Sequence, residues 1–488
     1  MATLSAARQR DRTRQAQTRA ALSTDELWLR YFSLGGTAGP LELDAYLNGA
    51  LELPGAQRDR VALAVNEHLD ALGRVRAPLS RPLRVAGPPS GHLAALTELL
   101  RATHEGAPDE LPAAVDRAAA HLGVTCVVHL ADYAKETLAP MPGPSGRGGP
   151  TLGIGSTLAG RAYQLVTTQH GAGTDGRARL WVPIIDGADR LGVLEVVPDS
   201  PDDVHDPALR RECWTLAHYV GYLLTAGSEC GDAVDAVRRT SPRTVEADLV
   251  WTMLPPLTAR TGKVLVSGHI EPSDDMGGDV FDYALSSRSA SFAILDATGH
   301  DLRASLAAAT ALAAYRNARR QGRGLFAQAD HVHRTISEHF TEQTMYTTGV
   351  LGELDLDTGR LRYLAAGHPH PLLLRDGKVV RSLVAGRRPM LGLDLRDSSL
   401  GEEQLERGDT IVLYTDGITE GRDANRQQFG VERLVDHVER AAADRLPLPE
   451  TVRRLFAAIL RHQQGRLQDD ATLLLLQWGA PTVYDPAP

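Results

Sequence analysis

Ser289-Ala290-Ser291-Phe292-Ala293-Ile294-Leu295-Asp296-Ala297-Thr298-Gly299-His300-Asp301, residues 289–301, reads as a short apolar strand that ends on a carboxylate. Gly299 and His300 turn the chain, and Asp301 is placed to cap a following helix. A carboxylate at a strand end is costly unless water, a hydrogen-bond donor or a cation compensates it. Three more such ends occur in the second half. A strand over 263–270 leads into Asp274-Asp275-Met276-Gly277-Gly278-Asp279, where two glycines permit close backbone approach. A strand over 410–414 ends in Thr415-Asp416-Gly417, and Asp469-Asp470 opens a last strand over 471–478. Asp-Gly alone is a common turn, so each motif by itself is weak. Four such ends converging in one fold would make an oxygen cage for a hard divalent metal.

The 488-residue chain is too long for one hydrophobic core, so two or three domains are expected. Its 43% hydrophobic and 23% charged residues are ordinary for a soluble globular protein. A net charge of −9 argues against a general nucleic-acid binder, which would carry a basic face. The one basic run, Arg8, Arg10, Arg12, Arg14 and Arg19, reads as a solvated, frayed tail. Three cysteines, Cys126, Cys213 and Cys230, form no short-spaced pair. A disulfide framework or zinc site is not expected, and a reducing cytoplasm fits. No signal-type apolar core opens the chain, and no run approaches the ~18 apolar residues of a membrane span.

Residues 1–85 read as a helical segment and linker, with helical spacing over 25–32 and 63–69 and a Pro/Gly-rich stretch at 81–91. Residues 86–228 read as a mixed α/β domain. Helices over 93–103 and 111–122 precede a strand over 124–130. A Pro/Gly loop, a turn into a short helix at 154–163, and a hairpin of 178–185 with 191–197 through Asp186-Gly187 follow. A helix from Pro207 to about 225, capped by Asp206, closes the unit. This pattern resembles a GAF domain, a sensor of small molecules or partners. Residues 229–252 form a helical connector broken at Ser241-Pro242. The rest, 253–480, alternates strands and turns with two long helices, at 302–321 and 448–463.

Further residues carry a second resemblance. Leu254-Pro255-Pro256, Gly277-Gly278-Asp279-Val280-Phe281-Asp282, Thr347-Thr348, Ala366-Gly367-His368-Pro369, Tyr414-Thr415-Asp416-Gly417-Ile418-Thr419-Glu420 and Phe429-Gly430 stand in one order with the four acidic motifs. From about 248 to 478 the chain resembles the SpoIIE-type, RsbU-like bacterial serine/threonine phosphatases of the metal-dependent PPM class. That resemblance implies an α-β-β-α sandwich and two metal ions, manganese or magnesium. Asp279 and Asp296 would touch both metals or the water between them, as the catalytic pair. The Ala297 carbonyl would add a ligand, and Asp416 and Asp469 would complete one metal's shell. Asp470 would orient the loop, and Asp274 and Asp282 would lie outside the ligand shell or in solvent. The sequence departs from the family at Val280, at Asp301, where a glycine is usual, and at Ala297-Thr298.

The implied function is metal-dependent hydrolysis of phosphoserine or phosphothreonine in a protein, with a STAS-type anti-sigma-factor antagonist as the expected substrate. The GAF-like domain would regulate it, through a small-molecule ligand or as a dimerising module. A homodimer is compatible with that arrangement; no nucleic-acid or membrane partner is implied. His300 and His368 are candidates for protonating the leaving oxygen, with local turn bonding as the plainer role. A catalytically inactive scaffold that binds partners is the alternative, and loss of a ligand aspartate would favour it. All four matched aspartates are present. A histidine-ligated phosphodiesterase has only His205-Asp206 and His300-Asp301 to draw on.

Overall fold

In the computed structural model the described residues are 5–71, 77, 89–143, 149–173, 175–240, 242–271, 277–299, 301–340, 345–393 and 397–479. They fall into two compact units, 1–89 and 90–488. The expected linker at 81–91 lies mostly outside the described residues.

The first unit is a bundle of α1 (Ala6–Ala20), α2 (Thr24–Ser33), α3 (Pro40–Leu47) and α4 (Gly55–Ala71). Its core gathers Leu27, Tyr31, Leu43, Tyr46, Val61 and Val65. Ser23 and Glu26 close a reciprocal capping box on α2, satisfying two end groups of that helix. The basic run is not a frayed tail. It lies on α1, which buries Gln9, Thr13, Ala16 and Gln17. Gln9 Nε2 donates to Asp59 Oδ1 of α4 at 2.7 Å. The buried face is polar and hydrogen-bonded, so apolar periodicity could not disclose it.

The second unit opens with α5 (Gly91–Glu105) and α6 (Leu111–Ala120). Then come β1 (Val124–Ala131), β2 (Thr137–Pro140), β3 (Leu152–Gly153), α7 (Leu158–Leu165), β4 (Gln169–Ala172), β5 (Ala178–Asp186), β6 (Asp189–Pro198) and α8 (Pro207–Ser228). The strands form one sheet in the order β3-β2-β1-β6-β5-β4. One face carries Val128, Val182 and Leu194 against Leu99, Val115 and Leu216 of the helices. The other carries Leu138, Trp181 and Val193 against Ala159, Ala162 and Tyr163 of α7. Asp206 caps α8 as expected, accepting from Ala208 N–H at 2.7 Å. Strand β4 was not expected: Gln-His-Gly-Ala has no apolar alternation. The connector is two helices, α9 (Ala233–Arg238) and α10 (Val245–Met253), so the rod is broken as the proline implied.

The remainder runs β7 (Thr258–Arg260), β8 (Val264–Glu271), β9 (Asp279–Leu285), β10 (Ser289–Ala297), α11 (Leu302–Arg320), α12 (Leu325–His339), β11 (Thr347–Asp355) and β12 (Arg360–Ala366). It continues through β13 (Leu372–Arg375), β14 (Lys378–Ser382), β15 (Arg387–Arg388), β16 (Gly401–Gln404), β17 (Thr410–Tyr414), α13 (Asp416–Glu420), α14 (Gly430–Ala443), α15 (Leu448–His462) and β18 (Ala471–Trp478). One sheet has the order β15-β12-β11-β10-β9, with β16 on β12; the other is β14-β13-β17-β18-β8-β7. Ile411 and Leu413 face the first sheet's core, which α11 and α12 cover from outside. Their neighbours Val412 and Tyr414 point the other way, to Leu434 and Val438 of α14 and Leu455 and Ile459 of α15. The result is the expected α-β-β-α sandwich. Two of its long helices, α12 and α14, were not anticipated. Among the described residues no helix is long and apolar enough to cross a membrane.

Candidate metal centre

Register places the first carboxylates. Asp279 opens β9 and stands directly opposite Asp296 of β10. Asp296 in turn stands opposite Thr348 of β11. Paired residues in antiparallel strands present side chains on the same face, so the three form one row across the sheet end.

Threonines hold the row. Thr415 Oγ1 donates to Asp279 Oδ2 at 2.8 Å and accepts from Thr472 N–H at 2.9 Å. Thr348 Oγ1 lies 3.4 Å from Asp296 Oδ2 and 2.8 Å from His368 Nδ1. Asp470 Oδ2 accepts the Gly278 N–H at 2.7 Å, so Asp470 shapes the glycine loop as expected. A Cβ on Gly278 would sit 2.9 Å from the Ala297 carbonyl oxygen and 3.3 Å from that of Gly299. A Cβ on Gly417 would meet the Asp470 carbonyl oxygen at 2.0 Å, so only glycine lets Asp416 approach the Asp469-Asp470 backbone.

Electrostatics ties five carboxylates together. Burial, then Asp296 and Asp470, push the Asp279 carboxyl well above its usual range, against the hydrogen bond from Thr415 and the nearby Thr472 hydroxyl. Burial, then Asp416, Asp469 and Asp470, push Asp296 up to about 7. Removing carboxylates from water and then crowding them is unfavourable, and a cation reverses both terms. Among the described residues, however, no three histidine, cysteine or acidic side chains already converge as a metal cage. The carboxylates are near enough to repel, not drawn into one shell.

The other candidates divide. Asp301 caps α11, accepting from the Arg303 and Ala304 N–H groups at 3.1 Å each. Asp282 is not solvated. It is buried, with Arg316 at 2.7 Å and Arg319 at 2.6 Å, and anchors α11 to β9. His368 is buried, and burial pushes its pKa down to about 3, with the Tyr414 backbone opposing. That direction favours the neutral ring and fits the plainer expectation for His368, local hydrogen bonding, better than proton donation. His300 and Asp274 lie outside the described residues. Sequence reasoning missed Thr348 and Thr415 as partners of the carboxylates, and Thr472 as the residue whose N–H holds Thr415; a threonine in or beside a strand carries no distinguishing signal.

The connector reaches this centre. A Cβ on Gly277 would meet Glu246 O of α10 at 2.9 Å and Ser305 Oγ of α11 at 2.8 Å. The Arg243 guanidinium lies 4.2 Å from the Tyr133 ring centroid and 4.0 Å from that of Trp251, bridging the β1–β2 turn of the front domain to α10. In the front domain, the cavity beside Val115, Cys126, Val128 and Met141 holds about 10 Å³, room for about one water.

Residues 286–479 match the family model described as stage II sporulation protein E (SpoIIE). Over those residues the C-terminal region is similar to SpoIIE-type domains. Among curated proteins, the chain is 23% identical over 209 residues to phosphoserine phosphatase RsbU of Bacillus subtilis, covering 42% of this chain and 61% of RsbU. It is 25% identical over 188 residues to phosphoserine phosphatase RsbP of the same organism, covering 37% of this chain and 45% of RsbP. Among solved structures, the RsbU and RsbW domains of a Mycobacterium tuberculosis protein align at 27% identity and a TM-score of 0.40, covering 45% of this chain and 61% of that one. The chain therefore spans less than two thirds of the length of these relatives.

Proposed function

We propose that this chain removes phosphate from phosphoserine or phosphothreonine in a protein, with two divalent ions, Mn²⁺ or Mg²⁺, held by Asp279, Asp296, the Ala297 carbonyl, Asp416 and Asp469. The observation that carries this reading is the Asp279–Asp296 pair, opposed across two strands, buried, and crowded by three further carboxylates. An all-oxygen donor set suits hard ions of this kind. When bound, such a metal pair supplies an acidified water and positive charge toward the phosphoryl oxygens. The residues of the chain supply the rest. Thr415, itself held by the Thr472 N–H, fixes Asp279, Asp470 fixes Gly278, and Gly417 lets Asp416 close on Asp469. His368 holds a hydrogen bond to Thr348 inside the fold.

The substrate we infer is a phosphorylated anti-sigma-factor antagonist of the STAS type in the cytoplasm, as the kinship with RsbU and RsbP suggests. Residues 86–228 act as a GAF-like regulatory domain, 229–252 as the connector and 253–480 as the phosphatase. The bridge from Tyr133 through Arg243 to Trp251, and the contact of α10 with Gly277, support regulation through that connector. A small cavity beside Cys126 favours a partner or dimer signal over a ligand at that position. Phosphate release from a phosphoserine peptide by the full chain, with Mn²⁺, with Mg²⁺ and with chelator, tests the reading. Metal-dependent release is expected; a folded, metal-loaded but inert protein would favour the binding scaffold.

A further inference from the structure

The row Asp279–Asp296–Thr348 does not stop at the third strand. We propose that Thr348 and His368 are positioning residues that fix the Asp296 carboxylate for metal binding; the proposal rests on the phosphatase reading above. Thr348 faces Asp296 across the β10–β11 ladder, so its side chain shares that face by register alone. Its hydroxyl is 3.4 Å from Asp296 Oδ2, the weaker link, and 2.8 Å from His368 Nδ1, the stronger.

Proton counting gives the chain a direction. A threonine hydroxyl has one proton to donate, and an ionised carboxylate only accepts. With Asp296 ionised, the Thr348 proton goes to Asp296, and His368 Nδ1 carries the proton donated to Thr348. The turn supports this placement: Gly367, with φ +61°, delivers His368 from the end of β12 into the interior. The His368 Nε2 makes no hydrogen bond; the Tyr414 backbone opposes the downward shift of its pKa but does not reach hydrogen-bonding geometry with that nitrogen. The neutral ring has one N–H to donate, and on this assignment it donates it to Thr348. Groups that orient a ligand in this way typically govern metal affinity by about 10–100-fold.

Calorimetric titration of Mn²⁺ into the full chain, without substrate, tests the proposal. Thr348→Val is expected to weaken Mn²⁺ binding by ~10-fold or more, and Thr348→Ser to restore it. His368→Phe, which keeps volume but removes Nδ1, should weaken binding in the same direction. His368→Asn, whose amide nitrogen can stand in for Nδ1, should recover it. Thermal melts of the metal-free variants separate this from misfolding, and if Thr348→Val does not fold, the His368 pair decides. Wild-type Mn²⁺ affinity in folded Thr348→Val or His368→Phe overturns the positioning role and leaves the phosphatase reading intact. No Mn²⁺ binding by the wild type overturns both.

Discussion

Arg190 and Glu450 form a fully buried ion pair, 3.3 Å apart, that joins the β5–β6 hairpin of the front sheet to the first turn of α15. Glu450 also accepts from Arg453 at 2.8 Å and Arg454 at 2.9 Å, so three guanidinium groups share one carboxylate. Arg190 further donates to the Tyr163 and Gln164 carbonyl oxygens, and its second terminal nitrogen has no hydrogen bond. The helix that Glu450 opens packs on the sheet containing β8, whose last residue, Glu271, pairs with Ala471 beside Asp469 and Asp470.

The two ends of this pair should respond unequally. Glu450→Gln leaves Arg190 buried without a counter-charge, and removing one partner of a buried pair costs about 3–5 kcal/mol. Arg190→Met leaves Glu450 with Arg453 and Arg454 and should cost clearly less. Denaturant unfolding of the two variants checks the order; the reverse order would contradict this account of the joint.

The same carboxylate sets a pH dependence. Burial works to raise the Glu450 pKa, but Arg453, Arg190 and Arg454 outweigh it and hold it below the usual value of 4.5. A depressed folded pKa contributes stability that is fully present above the unfolded value and is lost as pH falls through the folded one. Glu450→Gln should therefore flatten the acid side of the stability profile below about pH 4.5. An unchanged acid limb would count against the pairing.

Lys135 destabilises where Glu450 stabilises, although stability again rises with pH across its window. Burial pushes its pKa down to about 8 from 10.5, with Arg190 the next contributor. The folded state thus resists the charged form, and stability is regained as pH rises from about 8 towards 10.5. Lys135→Met is expected to stabilise the protein at pH 7, with the gap closing above pH 8. Melting curves across pH 6–10 test this; a pH-independent gap would show that the charge is not the cause.

Asp301 provides a control beside the centre. Its carboxylate caps α11 through two backbone N–H groups. Asp301→Ala should cost about 1 kcal/mol of stability, the usual worth of an N-cap, and leave Mn²⁺ affinity unchanged. A tenfold loss of metal affinity would instead place Asp301 in the metal shell.

What could be read in the sequence follows from range of interaction. Asp279, Asp296, Asp416 and Asp469 were legible because each ends or begins a strand of local apolar pattern. Asp301 was legible as a cap because capping is local. Thr348 was not legible as a partner of Asp296, 52 residues away, because register is a property of the sheet. The Arg190–Glu450 pair spans 260 residues and has no local trace. Helix α1 hid because its buried face is Gln9, Thr13 and Gln17. Helix α14 did carry a signal, with Val431, Leu434, Val435 and Val438 at helical spacing, and it was readable.

The central claim is that the opposed, buried carboxylates Asp279 and Asp296 hold metal for phosphate-ester hydrolysis. The most direct measurement is the rate of phosphate release from a phosphoserine protein or peptide by the full chain in Mn²⁺, beside Asp279→Asn and Asp296→Asn. The account predicts turnover that chelator abolishes and that falls at least ~100-fold in each variant, since several kcal/mol of charge stabilisation is lost. Turnover that survives in folded Asp296→Asn, or that ignores chelator, would contradict it.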